Sequence, residues 1–513
     1  MSARTRQCLL LLVVAGVLVV GSGRGVASAT RPSDQWQETR FHTGCDPGPV
    51  PPTPWPDPIV THRPPAGAPL AADLHVDLDS ANARRPILGA GFNFEHALWS
   101  CPEFRGLFRT QILDPFAPAL ARVDTGLLPA APTGLPASQL GPDVYTSMLA
   151  SAPYADSWRF LQRLNQADVP VVLGVWGGPA QFTDDGTRTG TLEPRHYDDY
   201  TEYVATVVDY LVRHGIRVWA TTIANEPDGG DGNQIPPDGL AYIAHRLAER
   251  LAPLGVKLYG PDTASAHTAM QYLPLLLDDP VVVKSLAFVG FHQYYATPDV
   301  ATLVDYVRRR QPELPVVVTE YTSFGFGDLD SGLDAIDPGG FTLDVVNTLL
   351  SHYRNGVDAA VYWDAVDYLQ PGHEAITKWG LLRGPARDFA PRRRYYALLQ
   401  VLPYLRPGAR VLTSQQDGGP ELGSLAVRTA TGAPAIFLVN QGENEIDLDL
   451  DLVGTDAARI PALSVWRTDR DHNAEPLGRV RLTNGGGRLA LPPRSVTTLF
   501  QAGATEEPTA ANP

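Results

Sequence analysis

The chain has 513 residues, 44% of them apolar, and a formal net charge of −15. That length suits a large domain with a smaller companion, and the composition is that of a globular protein rather than a disordered or membrane-embedded one. With excess acid and no basic stripe, the charge pattern argues against a nucleic-acid partner.

The N-terminus carries Arg4 and Arg6, an apolar run from Leu9 to Val20, and then Ala27-Ser28-Ala29. A short charged lead, an apolar stretch and a small-residue cleavage site read as a secretory signal over residues 1–29, which predicts a secreted protein. A buried apolar helix is the competing reading. Beyond this run no segment is long and apolar enough to predict a membrane span. Removal of the signal leaves Cys45 and Cys101, which would have an oxidising compartment in which to pair. Whether their geometry permits it is open at this stage. Residues 30–70 are proline-rich, with Pro47, Pro49, Pro51, Pro52, Pro54, Pro56 and Pro58, and predict extended chain. Residues 502–513 read as a frayed tail.

Between residues 86 and 400, short apolar runs alternate with helix-period segments. The runs are Ile87 to Phe92, Leu120 to Val123, Val169 to Val175, Val218 to Ile223, Val256 to Tyr259, Leu286 to Phe291, Pro315 to Thr319 and Ala359 to Trp363. Continuous apolar runs of this length suit parallel strands buried on both faces. Between them, Tyr197, Tyr200, Val204, Val207, Val208 and Leu211 share one helical face, and Gly215 is placed as a stop. Leu240, Ile243, Ala244, Leu247 and Leu251 repeat the device before Gly255, as do Phe341, Val345 and Leu349 before Gly356. Eight runs with helices between them predict a (β/α)8 barrel over residues 86–400. A doubly wound open sheet is the alternative. Its phosphate-binding turn would fall at Gly89-Ala90-Gly91, which lacks the third glycine.

After Gln400 the texture becomes strand and turn. Ile446-Asp447-Leu448-Asp449-Leu450-Asp451-Leu452 alternates with strict period two, apolar on one face and acidic on the other. Leu74-His75-Val76-Asp77-Leu78 alternates likewise. Residues 71–85 together with 401–501 therefore predict a small antiparallel β-sandwich.

In a barrel of this kind, chemistry sits at the C-terminal ends of the strands. The fourth run ends Asn225-Glu226-Pro227 and the seventh ends Thr319-Glu320-Tyr321. Two carboxylates facing each other over a cleft are what acetal cleavage needs: one protonates the leaving oxygen, the other attacks or stabilises the anomeric carbon. Mutual repulsion would keep one protonated, taken here as Glu226, and leave Glu320 charged. Each glutamate by itself fits a surface charge as well; it is their pairing on the fourth and seventh runs that carries weight. His373-Glu374 lacks the second histidine of a zinc motif, and no nucleophile elbow, paired cysteines or nucleotide loop is present. A metal-dependent barrel hydrolase would want several His and Asp at strand ends, and Asp262 with His292 are too few, so no metal or cofactor is expected.

Asn225-Glu226-Pro227 with Glu320 resembles the retaining glycoside hydrolases of clan A. The barrel followed by a sandwich is similar to families 30, 39, 51 and 79 of that clan, over roughly residues 74 to 500. The resemblance implies a carbohydrate substrate, Glu226 as general acid/base and Glu320 as nucleophile. It also implies that Asn225 contacts the sugar 2-hydroxyl, that Tyr294 donates to the nucleophile with His292 on the same wall, and that Trp363 forms a platform under the sugar. Arg122 is similar to the clan's arginine near the nucleophile, and an ordinary ion pair is its other reading. Trp176 and the Glu95-His96 pair are weaker substrate-contact candidates. Simple packing competes for His292, Tyr294, Trp363 and Trp176. A catalytically silent sugar-binding protein and a transglycosylase using the same two glutamates are the alternative functions. Phe324, Gly325, Gly327, Asp328 and Gly332 predict a long loop beside the cleft.

Overall fold

The computed structural model describes residues 67–501, apart from 84, 95–98, 125–134, 151–154, 230–231, 295, 324–340, 368–378 and 386–387. The predicted signal, nearly all of the proline-rich stretch, Cys45 and its pairing, Glu95-His96, the loop from Phe324 to Gly332 and the tail all lie outside these residues.

The chain enters as β1 (Leu70–Asp77) and then builds eight parallel strands: β2 (Gly89–Phe94), β3 (Leu120–Asp124), β4 (Val171–Gly174), β5 (Val218–Thr221), β6 (Lys257–Pro261), β7 (Leu286–His292), β8 (Val316–Tyr321) and β9 (Ala359–Tyr362). They close in sequence order, with β9 pairing back to β2 at Gly89↔Ala359. Each of the eight apolar runs supplies one strand. The barrel, not the open sheet, is the fold.

The runs are continuous because both faces are covered. Leu120, Val172, Ala220, Tyr259, Phe288 and Val317 fill the barrel interior. Their neighbours Ala121, Val171, Leu173, Val316 and Val318 point outward under the helices. Gly91 is required by close approach: a Cβ there would lie 2.2 Å from the Leu120 carbonyl oxygen of β3. The helix Tyr197–Arg213 buries Tyr200, Val204, Val207, Val208 and Leu211, the face read from its periodicity. Gly215, at φ +81°, turns the chain into β5 in the left-handed region that glycine adopts without steric cost.

Nine further strands follow: β10 (Arg410–Val411), β11 (Thr413–Asp417), β12 (Leu422–Arg428), β13 (Pro434–Asn440), β14 (Ile446–Val453), β15 (Ala462–Thr468), β16 (Glu475–Arg481), β17 (Gly486–Leu491) and β18 (Ser495–Phe500). They form a six-stranded sheet, β10-β12-β13-β18-β15-β16, facing a four-stranded one, β11-β1-β14-β17. The pairings are antiparallel except one. β1 runs parallel to β14, with Leu74 opposite Leu450. β1 precedes the whole barrel in sequence, so no hairpin dictates its direction. Leu74, Val76, Leu448 and Leu450 face Ile436, Leu438 and Leu499 across the sandwich. The other face of the six-stranded sheet carries Leu425, Val427, Phe437 and Val439 into the barrel's own core. The helix Phe341–Arg354 lies at this junction, where Arg354 Nη1 donates to the Ser424 carbonyl at 2.6 Å. Among the described residues no helix is long and apolar enough to cross a membrane.

Leu74 has no solvent exposure. Leu74→Ala removes a buried side chain from the strand that joins residues before the barrel to residues after it. It is expected to cost about 2–5 kcal/mol of stability, read as a lower urea midpoint with an unchanged slope.

Candidate active site

At the C-terminal mouth of the barrel, the strand ends converge on one guanidinium. Arg122, on β3, is fully buried. A guanidinium has five N–H donors and no acceptor. All five find acceptors here. Nε donates to the Tyr259 hydroxyl at 3.1 Å. Nη1 donates to Asn93 Oδ1 and to Glu320 Oε2, each at 2.9 Å. Nη2 donates to Asn225 Oδ1 at 2.6 Å and to Asp262 Oδ2 at 2.9 Å. The Trp176 ring lies 4.3 Å from the guanidinium carbon, close enough for cation–π attraction. Strands β2 and β6, the β5 exit and β8 thus present one polar group or more each to the arginine of β3.

Glu226 follows β5 and Glu320 sits within β8. Glu226 holds φ +42°, a left-handed backbone that costs a non-glycine residue energy and is kept by its surroundings. Its N–H donates to the Asp262 carbonyl at 2.9 Å. His292, at the end of β7, places Nδ1 2.8 Å from Glu226 Oε1, a hydrogen bond that shares one proton between ring and carboxyl. The other ring nitrogen lies 3.5 Å from Asp262 Oδ1 and 3.8 Å from Glu320 Oε2. The Tyr294 hydroxyl donates to Glu320 Oε1. One carboxylate oxygen of Glu226, one of Glu320 and a ring nitrogen of His292 all lie within 4.8 Å of one another. That spacing is one a cation could use. Glu320 already receives Arg122 and Tyr294, however, and Arg122 Nη2 stands 3.4 Å from His292 Nε2, so a metal would be set against a guanidinium. The donor set fits a polar substrate atom better than a metal.

Burial shapes the charges. It pushes the Glu320 carboxyl up to about 7, against His292 and Arg122, which favour its charged form. His292 is pulled down by burial, but the surrounding Glu320, Asp262 and Glu226 outweigh this and push it up to about 10. Burial would raise Asp262, yet Arg122 and His292 hold its carboxyl well below the usual range.

The expected residues therefore come together: Arg122, Asn225, Glu226, His292, Tyr294 and Glu320 form one hydrogen-bonded cluster. Trp363 is half-buried beside it, and its ring lies 5.7 Å from Trp176 at a 35° tilt. Asn225 is buried, and its side-chain oxygen is committed to Arg122. Four participants were not singled out as site residues from sequence: Asn93, Tyr259, Asp262 and Thr319. Thr319 Oγ1 donates to Asp262 Oδ1 at 2.6 Å, and the Tyr259 hydroxyl donates to the Leu173 carbonyl at 3.1 Å. The strand-end rule does put Asp262 at the mouth, in Tyr259-Gly260-Pro261-Asp262, but weighed as a metal ligand it carried no role. A second layer holds the β7 exit. Buried His352 bonds through Nε2 to the carbonyl of Gln293, between His292 and Tyr294, at 3.1 Å.

Solved structures with this architecture include a family 30 endoxylanase from Clostridium papyrosolvens, at TM-score 0.63 and 16% identity over 84% of this chain and 99% of that chain. A family 30 subfamily 8 xylanase from Clostridium acetobutylicum is similar at 0.62 and 17%, over 83% and 99%. A family 44 xyloglucanase from Paenibacillus polymyxa is similar at 0.53 and 13%, over 84% and 99%. The fold is theirs. No protein-family model and no curated protein matches the sequence.

Within this shared fold, the buried arginine is the part of the cluster whose loss should be felt most in stability. Arg122→Met keeps length but strips the charge from beside Asp262 and Glu320. It is expected to lower stability by about 3–5 kcal/mol at neutral pH, measured by urea unfolding, because buried carboxylates lose their counter-ion.

Proposed function

We propose that this chain is a secreted retaining glycoside hydrolase that cleaves β-linked sugars through a covalent glycosyl-enzyme. The observation that carries the reading is the approach of Glu226 and Glu320 to within 4.8 Å, oxygen to oxygen. Retaining enzymes hold their two carboxyls roughly 5–5.5 Å apart, whereas inverting ones leave about 6.5–9.5 Å for a water. The likeness in fold to two xylanases and to an endo-β1,6-glucanase is consistent with it. The secretion reading stands on the N-terminal signal pattern alone.

In this reading Glu320 is the nucleophile. Arg122 and Tyr294 each donate to one of its oxygens, and donors of this kind favour the carboxylate. Through its hydrogen bond with Glu226, His292 supplies the proton that Glu226 delivers to the leaving oxygen as the glycosidic bond breaks. Glu320 forms the new bond to the anomeric carbon. In the second half Glu226 takes a proton from water, and the resulting hydroxide displaces Glu320 with net retention. Asn225 reaches the 2-hydroxyl, and Trp363 with Trp176 forms the apolar wall under the ring. Aromatic faces of this kind suit the C–H faces of a pyranose.

Aryl β-glycosides test this directly. The wild type is expected to hydrolyse at least one, with kcat/KM falling as pH drops through about 7, where Glu320 takes up a proton and loses its nucleophilic form. Glu226→Ala should lose about 10²–10⁴-fold, with azide partly restoring turnover on a good leaving group. Glu320→Ala should be inactive. A 2-fluoro-glycoside should add its sugar mass to the peptide containing Glu320. Failure of every sugar tested to label the protein would favour a silent sugar-binding role.

A further inference from the structure

Asp262 follows β6 and is fully buried. Its side chain faces two cations at once. Oδ2 accepts from Arg122 Nη2 at 2.9 Å, and Oδ1 stands 3.5 Å from His292 Nε2 while accepting from Thr319 Oγ1 at 2.6 Å. Those two cations divide the glutamates between them. Arg122 touches Glu320, and His292 touches Glu226. The backbone of Asp262 is engaged as well. Its N–H donates to the Gly290 carbonyl at 2.8 Å, and its carbonyl accepts from the Glu226 N–H at 2.9 Å. Its φ of +61° lies in the left-handed region, so these bonds hold it in a backbone that a non-glycine residue seldom adopts.

We propose that Asp262 is a positioning residue for both glutamates: its buried carboxylate holds the Arg122 guanidinium against Glu320 and keeps His292 as an imidazolium against Glu226. The chemistry follows from counting hydrogens. Arg122 spends all five on Tyr259, Asn93, Glu320, Asn225 and Asp262, which leaves none for His292. His292 Nε2 then faces Asp262, Glu320 and the guanidinium, and Nδ1 faces Glu226. The Tyr294 ring lies edge-on, 6.5 Å away. A nitrogen beside two carboxylates and a spent cation is one that keeps its proton. With Asp262 in place, the ring can bind Glu226 through Nδ1–H without giving up Nε2–H.

The rate arm of this proposal rests on the glycosidase reading; the titration arm does not. Asp262→Asn keeps the shape and removes the charge. His292 then loses an anion at ion-pair distance and should release its proton at a pH lower by about one unit or more. His292 pulls Glu320 toward its charged form more strongly than Asp262 pushes it away. With His292 lowered by about one unit from about 10, it is still an imidazolium at pH 7, so Glu320 keeps that pull and loses only the push of Asp262. The acid limb of kcat/KM should therefore move down, toward lower pH.

The experiment is ¹⁵N NMR of histidine-labelled full-length protein, with the His292 signal assigned by its loss in His292→Gln, alongside pH–rate profiles on an aryl glycoside. In the wild type, His292 is expected to remain an imidazolium through pH 8; a ring that deprotonates near 6.5 overturns the proposal without any variant. In folded Asp262→Asn, a His292 midpoint identical to wild type overturns it, whatever the activity does, and a downward move of that midpoint with a lowered acid limb supports it. A wild type that hydrolyses no glycoside sinks the glycosidase reading and leaves the His292 titration to judge Asp262.

Discussion

One buried guanidinium organises this molecule's functional end. Arg122 lies where water cannot reach it, and an isolated charge there would cost several kcal/mol. It is tolerated because each of its N–H groups has an acceptor and because two carboxylates face it. The arrangement also runs in the other direction. Glu320 and Asp262 can be buried because a permanent cation stands between them. Arginine suits the place better than lysine, since its planar fork delivers five hydrogens to five different groups with little loss of rotamer freedom.

The barrel makes such a cluster affordable. Parallel strands all end at the same mouth, so residues far apart in sequence arrive together without any loop having to bend toward the centre. Arg122 and Glu320 are 198 positions apart and 2.9 Å from contact atom to contact atom. The packing beneath them is rigid, with Tyr259 and Phe288 stacked at 4.9 Å inside the barrel. The sandwich contributes from outside. Its six-stranded sheet continues the barrel's apolar core, so the helix Phe341–Arg354, between the last two barrel strands, is buried on two sides. In the proposed mechanism this rigidity matters, because a carboxyl pair has to meet one carbon within a fraction of an ångström.

Much of this was legible along the chain. Val316-Val317-Val318 could only be a strand covered on both faces, and the Glu320 that follows had to leave it at one end or the other. Ile446 to Leu452 announced a half-buried strand by its alternation, and its aspartates do lie on the outer face. Asp262 was harder to read. It stands at a strand end, but an aspartate with one histidine for company is too little for a metal and signals no other role. Tyr259 had the look of core, and it is core, but its hydroxyl also receives Arg122. Nothing in a one-dimensional pattern marks a residue that serves both. The parallel pairing of β1 with β14 was equally hidden, because alternation reveals a strand's faces but not its direction.

The sequence by itself determined the order of elements, the closed barrel, and the two glutamates that end its fourth and seventh strands. It could do so because burial leaves a local periodic trace: apolar on both sides for a parallel strand, one stripe for a helix, every second residue for a sandwich strand. Only the tertiary structure decided the distance between those glutamates and the order in which charges are paired around them. Those depend on contacts across the barrel, between residues whose separation in sequence carries no period, and on a low-dielectric setting that exists only once the chain has folded.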